Sequence, residues 1–256
     1  IGLVDLTALE DSMDEDVLLV SIMTVNNEIG TIQLMEEIAK IVHQKNAFFH
    51  TDAAQAPVTK SIDVIQDDVD LMSLSAHKMY GPKGIGALYV KNGIERNIEP
   101  LFWGGGQENG LRSGTLPVAL CVGFGAASRV LNEHRDEIMV HVKNLRDTFY
   151  QELVVLKHNI KLIGPDLSNR HVGNLSILFP EYDASDLLAM LQPNLAASTG
   201  AACTSGIPEP SHVLRTLGLS RDLADNVIRF SFGKFLSEDD IIRGIKFLKD
   251  TIQRVD

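Results

Sequence analysis

Short apolar runs that stop at polar, glycine-bearing turns, with helical periodicity between them, constrain this chain's fold more than any other feature. Val17 to Thr24 is such a run, closing on Asn26, Asn27, Glu28, Ile29 and Gly30, and it reads as a buried strand. Behind it, Leu34, Met35, Ile38, Ile41 and Val42 recur at helical spacing with Glu36, Glu37 and Lys40 on the other side. That is an amphipathic helix. Ala47 to His50, Val69 to Ser75 and Ile85 to Val90 supply further strands, the last two parted by Gly81, Pro82 and Gly84. Strands alternating with helices predict an α/β fold around a mostly parallel sheet.

The Gly-rich loop Gly104–Gly110 interrupts this order, and two long helical stretches follow, near 116–131 and 134–156. The rest reads as an α+β unit, with strands near 159–163, 173–179 and 227–232 and helices near 184–192, 210–217 and 237–254. A domain boundary is placed near 131, giving 1–131 and 132–256. An apolar content of 45% is ample for a core, so a disordered chain is excluded. The most apolar stretch, Leu116 to Leu131, is Gly- and Ala-rich, contains Arg129, and is too short to span a membrane. A formal charge of −11 argues against general binding of nucleic acid, which depends on Lys and Arg. The two cysteines, Cys121 and Cys203, form neither a disulfide framework nor a metal cluster, so a reducing compartment and no resident metal are expected.

Chemistry-bearing residues gather where strands end. Lys78 follows Ser75, Ala76 and His77 at the end of a predicted strand. It is either an ordinary loop lysine or a group placed to meet a ligand, because open α/β sheets bind ligands at strand carboxyl ends. Lys83, in a turn without such companions, is the contrasting solvent-facing lysine. Asp52, after His50 and Thr51, either caps a following helix or faces a cofactor nitrogen, and Gln55 lies one turn on. Cys203 sits among Ser198, Thr199, Gly200, Ala201, Ala202, Thr204 and Ser205, a loop composition that leaves a thiol accessible and able to ionise. Cys121, between Leu120 and Val122, reads as a small buried hydrophobe.

The stretches His50–Gln55 and Ser75–Gly86 strongly resemble the NifS/IscS-type cysteine desulfurases, fold-type I pyridoxal-phosphate enzymes of the class V aminotransferase superfamily. The likeness continues in order through Gly104–Glu108, Arg112–Thr115, Ser198–Ser205, Glu209–Ser211 and Ile228–Ser231. It implies a Schiff-base link between Lys78 and the cofactor, Asp52 on the pyridinium nitrogen and Gln55 on the phenolate oxygen. Ser75 and His77 would hold the phosphate, joined by Thr115 from the second subunit of a homodimer. Asn27 would lie by cofactor and substrate, Arg229 would clamp the substrate carboxylate unless it is merely a surface ion-pair residue, and Cys203 would take sulfur from L-cysteine as a persulfide, leaving alanine.

By the same resemblance, the fold is a fold-type I large domain plus a smaller α+β domain, the sulfur passes to an acceptor or scaffold protein, and the location is cytoplasmic, or the mitochondrial matrix in a eukaryote. Other class V chemistries, a selenocysteine lyase or a desulfurase for DNA phosphorothioation, share the pattern, and a non-catalytic scaffold or partner chain is the third alternative. Family members carry a segment ahead of the point matching Ile1, which supplies a ring-stacking His and a Thr-containing phosphate loop. The chain therefore resembles a family member truncated at its N-terminus, with the opening of the large domain missing.

Overall fold

The computed structural model describes residues 1–199 and 211–255. It divides into two compact units. The first comprises Val4–Val25 and Gln33–Arg135, and the second Ile1–Leu3, Asn26–Ile32 and Asp136–Asp256.

In the first unit, a short helix α1 (Leu6–Asp11) precedes strand β1 (Leu19–Ser21), helix α2 (Met35–Gln44) and strands β2 (Phe48–Asp52), β3 (Leu71–Ser75) and β4 (Gly86–Val90). The long helix α3 (Val118–Leu156) begins here as well. The sheet order is β1-β2-β3-β4, with β1–β2 and β2–β3 parallel and β3–β4 antiparallel. The sheet is thus mostly parallel, as the strand–helix alternation predicts. On α2, the residues Met35, Ile38, Ala39 and Val42 are buried, the face that its periodicity assigns to the core.

Two local readings change. The segment expected as a buried strand is shorter, and Leu19 is 45% exposed. As the edge strand, β1 is hydrogen-bonded to β2 alone, yet that bonding runs on through Ile22 N to His50 O (3.1 Å) and Thr24 N to Asp52 O (2.9 Å). Helix α1, only six residues long, is too short for its Leu6 and Leu9 to stand out as a periodic stripe in the sequence. Its determinant is Asp5, whose Oδ1 accepts from Thr7 N and Ala8 N at 3.0 Å.

At the opposite end of the strands from the candidate site, His43 bridges Asp68 (3.0 Å) and Asp70 (2.8 Å), and Lys91 reaches the same two carboxylates. Asp70 also accepts from Phe49 N at 2.9 Å. Lys91, above all, holds Asp68 below the usual carboxylate range. Burial pushes Asp70 up, but its hydrogen bonds from Phe49, His43 and Lys91 outweigh that and bring it down.

Helix α3 is interrupted at His134 (φ −122°, ψ 15°), between the two helical stretches read from the sequence. From Asp136 onward it belongs to the second unit. There β5 (Lys161–Leu162), β6 (Asn174–Leu178), α4 (Ala184–Leu191), α5 (His212–Thr216), α6 (Arg221–Ala224), β7 (Val227–Ser231) and α7 (Glu238–Val255) follow. The three strands form an antiparallel sheet in the order β5-β6-β7. Every residue of the central strand β6 is buried. Phe149, Leu175, Ile177, Phe179, Leu187 and Leu248 make the centre of its core.

Two arginines lie inside this unit. Arg146 pairs with Asp147 at 2.6 Å and donates to Leu167 O at 2.9 Å. Arg170 donates to the carbonyls of Ile163 and Pro165 at 2.6 Å each. Burial and the nearby charge of Arg146 lower the Arg170 pKa to about 10, and the same two causes lower His171 to about 4. No helix among the described residues is long and apolar enough to cross a membrane.

Candidate active site

The parallel pairing of β2 and β3 sets the first group of candidate residues side by side. Asp52 ends β2 opposite Ser73, and Ser75 ends β3 two residues further on. Because side chains alternate, Asp52, Ser73 and Ser75 share one face of the sheet, and His50 shares it too. Thr51 points the other way, fully buried, with its hydroxyl 2.8 Å from that of Thr24.

Asp52 is exposed, and its Oδ1 accepts from Ala54 N at 2.8 Å. The chain after it runs through turns, so the helix-cap reading of Asp52 gives way to an Asx turn that aims the carboxylate. Gln55 lies half-buried in those turns.

Past β3 the chain enters a single 3₁₀ turn, Ala76–Met79, which presents His77 and Lys78 to solvent and buries Ala76 and Met79. The turn closes with Tyr80 in the left-handed region (φ 67°) and with Gly81 N donating to Ala76 O at 2.8 Å. A Cβ at Gly81 would stand 2.9 Å from that carbonyl, so only glycine permits this close approach. Ser75 Oγ and His77 Nδ1 lie 2.9 Å apart, a pre-formed pair of polar groups. Lys78 is exposed and forms no ion pair among the described residues. Lys83 is exposed, as expected.

Sequence reasoning missed the support beneath this group. The ring of His50 bridges three strands, with Nδ1 2.7 Å from Ser21 Oγ and Nε2 2.9 Å from Ser73 Oγ. Burial lowers its pKa, against a smaller opposing pull from Asp52. The available signal was the alternation that puts His50 and Asp52 on one strand face.

Thr115 is exposed and makes no hydrogen bond to Ser75 or His77 among the described residues. Its loop is ordered locally by Ser113 Oγ donating to Gly105 O (2.8 Å) and Gly114 N donating to Gln107 Oε1 (3.1 Å). The same loop exposes Leu101, Phe102 and Trp103, with the Arg112 guanidinium 5.2 Å from the Phe102 ring centroid. Cys121 is half-buried, not the fully buried hydrophobe expected, because it sits near the start of α3 between exposed Val118 and Val122.

The second unit holds the other candidates. Arg229, on β7, donates through Nη1 to Asn27 O at 3.0 Å, while its Nε is buried without a partner among the described residues. Backbone hydrogen bonds join Arg229 to Ser198 in both directions, at 2.7 and 3.1 Å. Asn27 belongs to a turn fixed by Asn26 Oδ1, which accepts from Glu28 N (2.9 Å) and Ile29 N (3.0 Å). Cys203 and Glu209 lie outside the described residues.

An open sheet that places a lysine, a histidine, a serine and an aspartate at the carboxyl ends of adjacent strands has the architecture of an α/β enzyme with a ligand at that edge. The family model described as Aminotransferase class-V matches residues 1–243, and the chain belongs to that family. It is 43% identical over 255 residues to cysteine desulfurase IscS of Ehrlichia chaffeensis, covering 99% of this chain and 62% of that protein. A probable mitochondrial cysteine desulfurase of Dictyostelium discoideum is 45% identical over 254 residues, covering 99% of this chain and 56% of that one. Among solved structures, a NifS-like protein superposes with a TM-score of 0.89 at 36% identity, covering 99% of this chain and 66% of the other. The chain thus spans about three-fifths of the length of the curated relatives it matches.

Proposed function

We propose that this chain is the larger part of a pyridoxal-phosphate-dependent cysteine desulfurase. The observation that carries the reading is the edge shared by β2 and β3, where Asp52, Ser75, His77 and Lys78 converge on exposed, polar ground. The donor set fits the cofactor. A carboxylate aimed by one backbone N–H leaves its second oxygen for a ring nitrogen, and a hydroxyl–imidazole pair suits a phosphate. A lysine without an ion pair suits covalent attachment. Bound there, pyridoxal phosphate would supply an electron sink for the carbanion formed at the substrate Cα.

The residues divide the remaining work. Lys78 would hold the cofactor and, once displaced, take the proton from the substrate Cα and return one to the departing product. Gln55 and Asn27 would contact cofactor and substrate, and Arg229, whose buried Nε still needs an acceptor, would bind the substrate carboxylate. The Cys203 thiolate would attack the sulfur of L-cysteine. The C–S bond breaks, an S–S bond forms, and alanine and an enzyme persulfide result with no added oxidant or reductant.

In this reading 1–131 is the C-terminal part of a cofactor-binding large domain, and 132–256 is a small α+β domain carrying Cys203. A reducing compartment, the cytoplasm or a mitochondrial matrix, would keep the Cys203 thiol free, and an acceptor or scaffold protein would receive the sulfur. The exposed Leu101, Phe102 and Trp103 beside Thr115 support a homodimer in which Thr115 reaches the partner's phosphate. A monomer by sedimentation, with cofactor affinity unchanged in Thr115→Ala, would overturn that assignment.

The test of the reaction is stoichiometry. With the cofactor present, L-cysteine is expected to yield one alanine per persulfide formed on the protein in the first turnover. Alanine without persulfide, or turnover of selenocysteine but not of cysteine, would overturn the desulfurase reading in favour of another class V chemistry.

A further inference from the structure

The face of the four-stranded sheet that carries Asp52 is held together differently from the face behind it. Behind, Phe49, Thr51 and Met72 are buried, and packing fixes the strands. In front, Ser21 is exposed and His50 and Ser73 are half-buried, so burial orders this face less and hydrogen bonds order it more. His50 makes two of them. Its Nδ1 lies 2.7 Å from Ser21 Oγ on β1 and its Nε2 2.9 Å from Ser73 Oγ on β3, so one ring ties three adjacent strands. A neutral imidazole has one donor and one acceptor, and a hydroxyl can take either part, so both contacts are satisfied in either tautomer.

The place of this tie gives it a function. Ser21 stands opposite His50, whereas Ser73 stands opposite Asp52, nearer the carboxyl end of the strands. The ring therefore reaches diagonally to the residue beside Asp52. Ser73 also grips the turn that aims the carboxylate, since Ala53 N donates to Ser73 O at 2.9 Å and Ala54 N donates to Asp52 Oδ1 at 2.8 Å. On the other side, Thr24 N donates to Asp52 O at 2.9 Å. Asp52 itself is exposed, so bonds to its flanks rather than a packed surround set its direction. We propose that His50 is a positioning residue that clamps Ser73, and with it the Asp52 turn, so that the carboxylate stays aimed where the cofactor's ring nitrogen would bind. The proposal rests on the cofactor reading of Asp52 for its consequence, while the clamp itself stands on the hydrogen bonds.

The chemistry explains why an imidazole suits this position. It reaches two hydroxyls on opposite sides at once, which no aliphatic side chain does. Burial lowers its pKa, against a smaller opposing pull from Asp52, so the ring is uncharged at neutral pH. It therefore steadies the strand end without neutralising the carboxylate, whose charge is what would hold a ring nitrogen protonated.

The experiment compares His50→Leu, His50→Gln, Ser73→Ala and Ser21→Ala in the full-length protein loaded with pyridoxal phosphate that is isotopically labelled at its ring nitrogen. The resonance of that nitrogen reads its protonation directly. It is expected in the protonated range in the unmodified protein, and to move toward the unprotonated range in His50→Leu and Ser73→Ala, with cofactor affinity falling by about tenfold. Ser21→Ala loosens only the far end of the clamp and should change affinity by about twofold or less. His50→Gln, whose amide still reaches toward Ser73, should keep the native resonance and most of the affinity. A native resonance and affinity in His50→Leu or in Ser73→Ala would overturn the proposal. Equal losses in Ser73→Ala and Ser21→Ala would overturn it too, as the mark of a tie that serves stability alone. Should His50→Leu not fold, the two serine variants and His50→Gln decide.

Amide exchange at Ala53 and Ala54 reads the clamp without the cofactor and should quicken in His50→Leu and Ser73→Ala but not in Ser21→Ala. If the unmodified protein binds no pyridoxal phosphate, the cofactor reading of Asp52 fails and exchange alone decides. Unchanged exchange at both amides would overturn the clamp as well.

Discussion

Phe149→Ala is expected to destabilise the second unit by about 3–5 kcal/mol. Phe149 is 3% exposed, and its ring centroid lies 5.0 Å from that of Phe230 and 5.3 Å from that of Phe232. The tilted and edge-on geometries (50° and 66°) suit the ring quadrupoles, and each such pair adds about 0.5–1.5 kcal/mol beyond its area. Both partners belong to the β7 strand or its continuation, so one side chain of α3 ties that helix to the edge of the three-stranded sheet. Truncation would not be repaired by collapse. Phe149 already lines a cavity of about 650 Å³ together with Leu195, Leu236 and Phe247, and its removal joins new space to old.

The change should lower the denaturant midpoint without altering the slope. Far-UV circular dichroism is the probe to use, because the one tryptophan, Trp103, belongs to the first unit. Phe235→Ala, at 81% exposure, is the control and should stay within about 0.5 kcal/mol. A shift under about 1 kcal/mol in Phe149→Ala would show that the ring cluster is not the fastening of α3.

The same cluster shows what the sequence made legible. Short apolar runs located β2, β3, β6 and β7, and period-3.6 patterning located α2 and α7, to within a few residues; β6, buried along its whole length, needs no polar face to be legible. The interruption of α3 at His134 was legible too, as a gap between two apolar stripes. Helix α1 escaped, since six residues with two half-buried leucines are too short a stretch for periodicity to register, and its cap at Asp5 reads as an ordinary loop aspartate. The exposure of Leu19 also escaped, because burial depends on which neighbours cover a strand and not on its own apolarity.

The candidate site divides along similar lines. Asp52, Ser75, His77 and Lys78 were found because strand ends are marked by turn residues and because motif order along the chain is specific. Ser21, His50 and Ser73 were not joined in the sequence reading. Their contact depends on the register of three strands, Ser21 opposite His50 and Asp52 opposite Ser73, and register is a property of pairing.

Lys78→Ala and Cys203→Ala are expected to abolish turnover at different points, and the difference tests the site more sharply than either loss alone. Lys78 is exposed on the 3₁₀ turn that ends β3 and makes no ion pair among the described residues, so its truncation should leave stability within about 0.5 kcal/mol. In the proposed reading it removes the amine that would attach the cofactor and move the Cα proton. The visible absorbance of lysine-bound pyridoxal phosphate should vanish, and alanine formation should fall by about 10²–10⁴-fold, the range that a positioned acid–base group contributes. Cys203→Ala should keep that absorbance and its response to L-cysteine, while yielding no protein persulfide, since no other thiol in the chain lies in its segment and Cys121 is on α3.

Lys83→Ala serves as the control for charge near the site. Lys83 is exposed five residues on, and its loss should leave absorbance and turnover at native levels. Absorbance retained in Lys78→Ala but lost in Lys83→Ala would move the attachment point to the second lysine. Persulfide formed at the native rate in Cys203→Ala would remove Cys203 from the reaction. The paired outcome matters because each residue ends a different chain of inference. Lys78 is placed by the carboxyl end of a parallel strand and the turn after it, whereas Cys203 is placed by the resemblance and by the small residues around it. Only the two losses together would show that cofactor attachment and persulfide formation belong to one reaction.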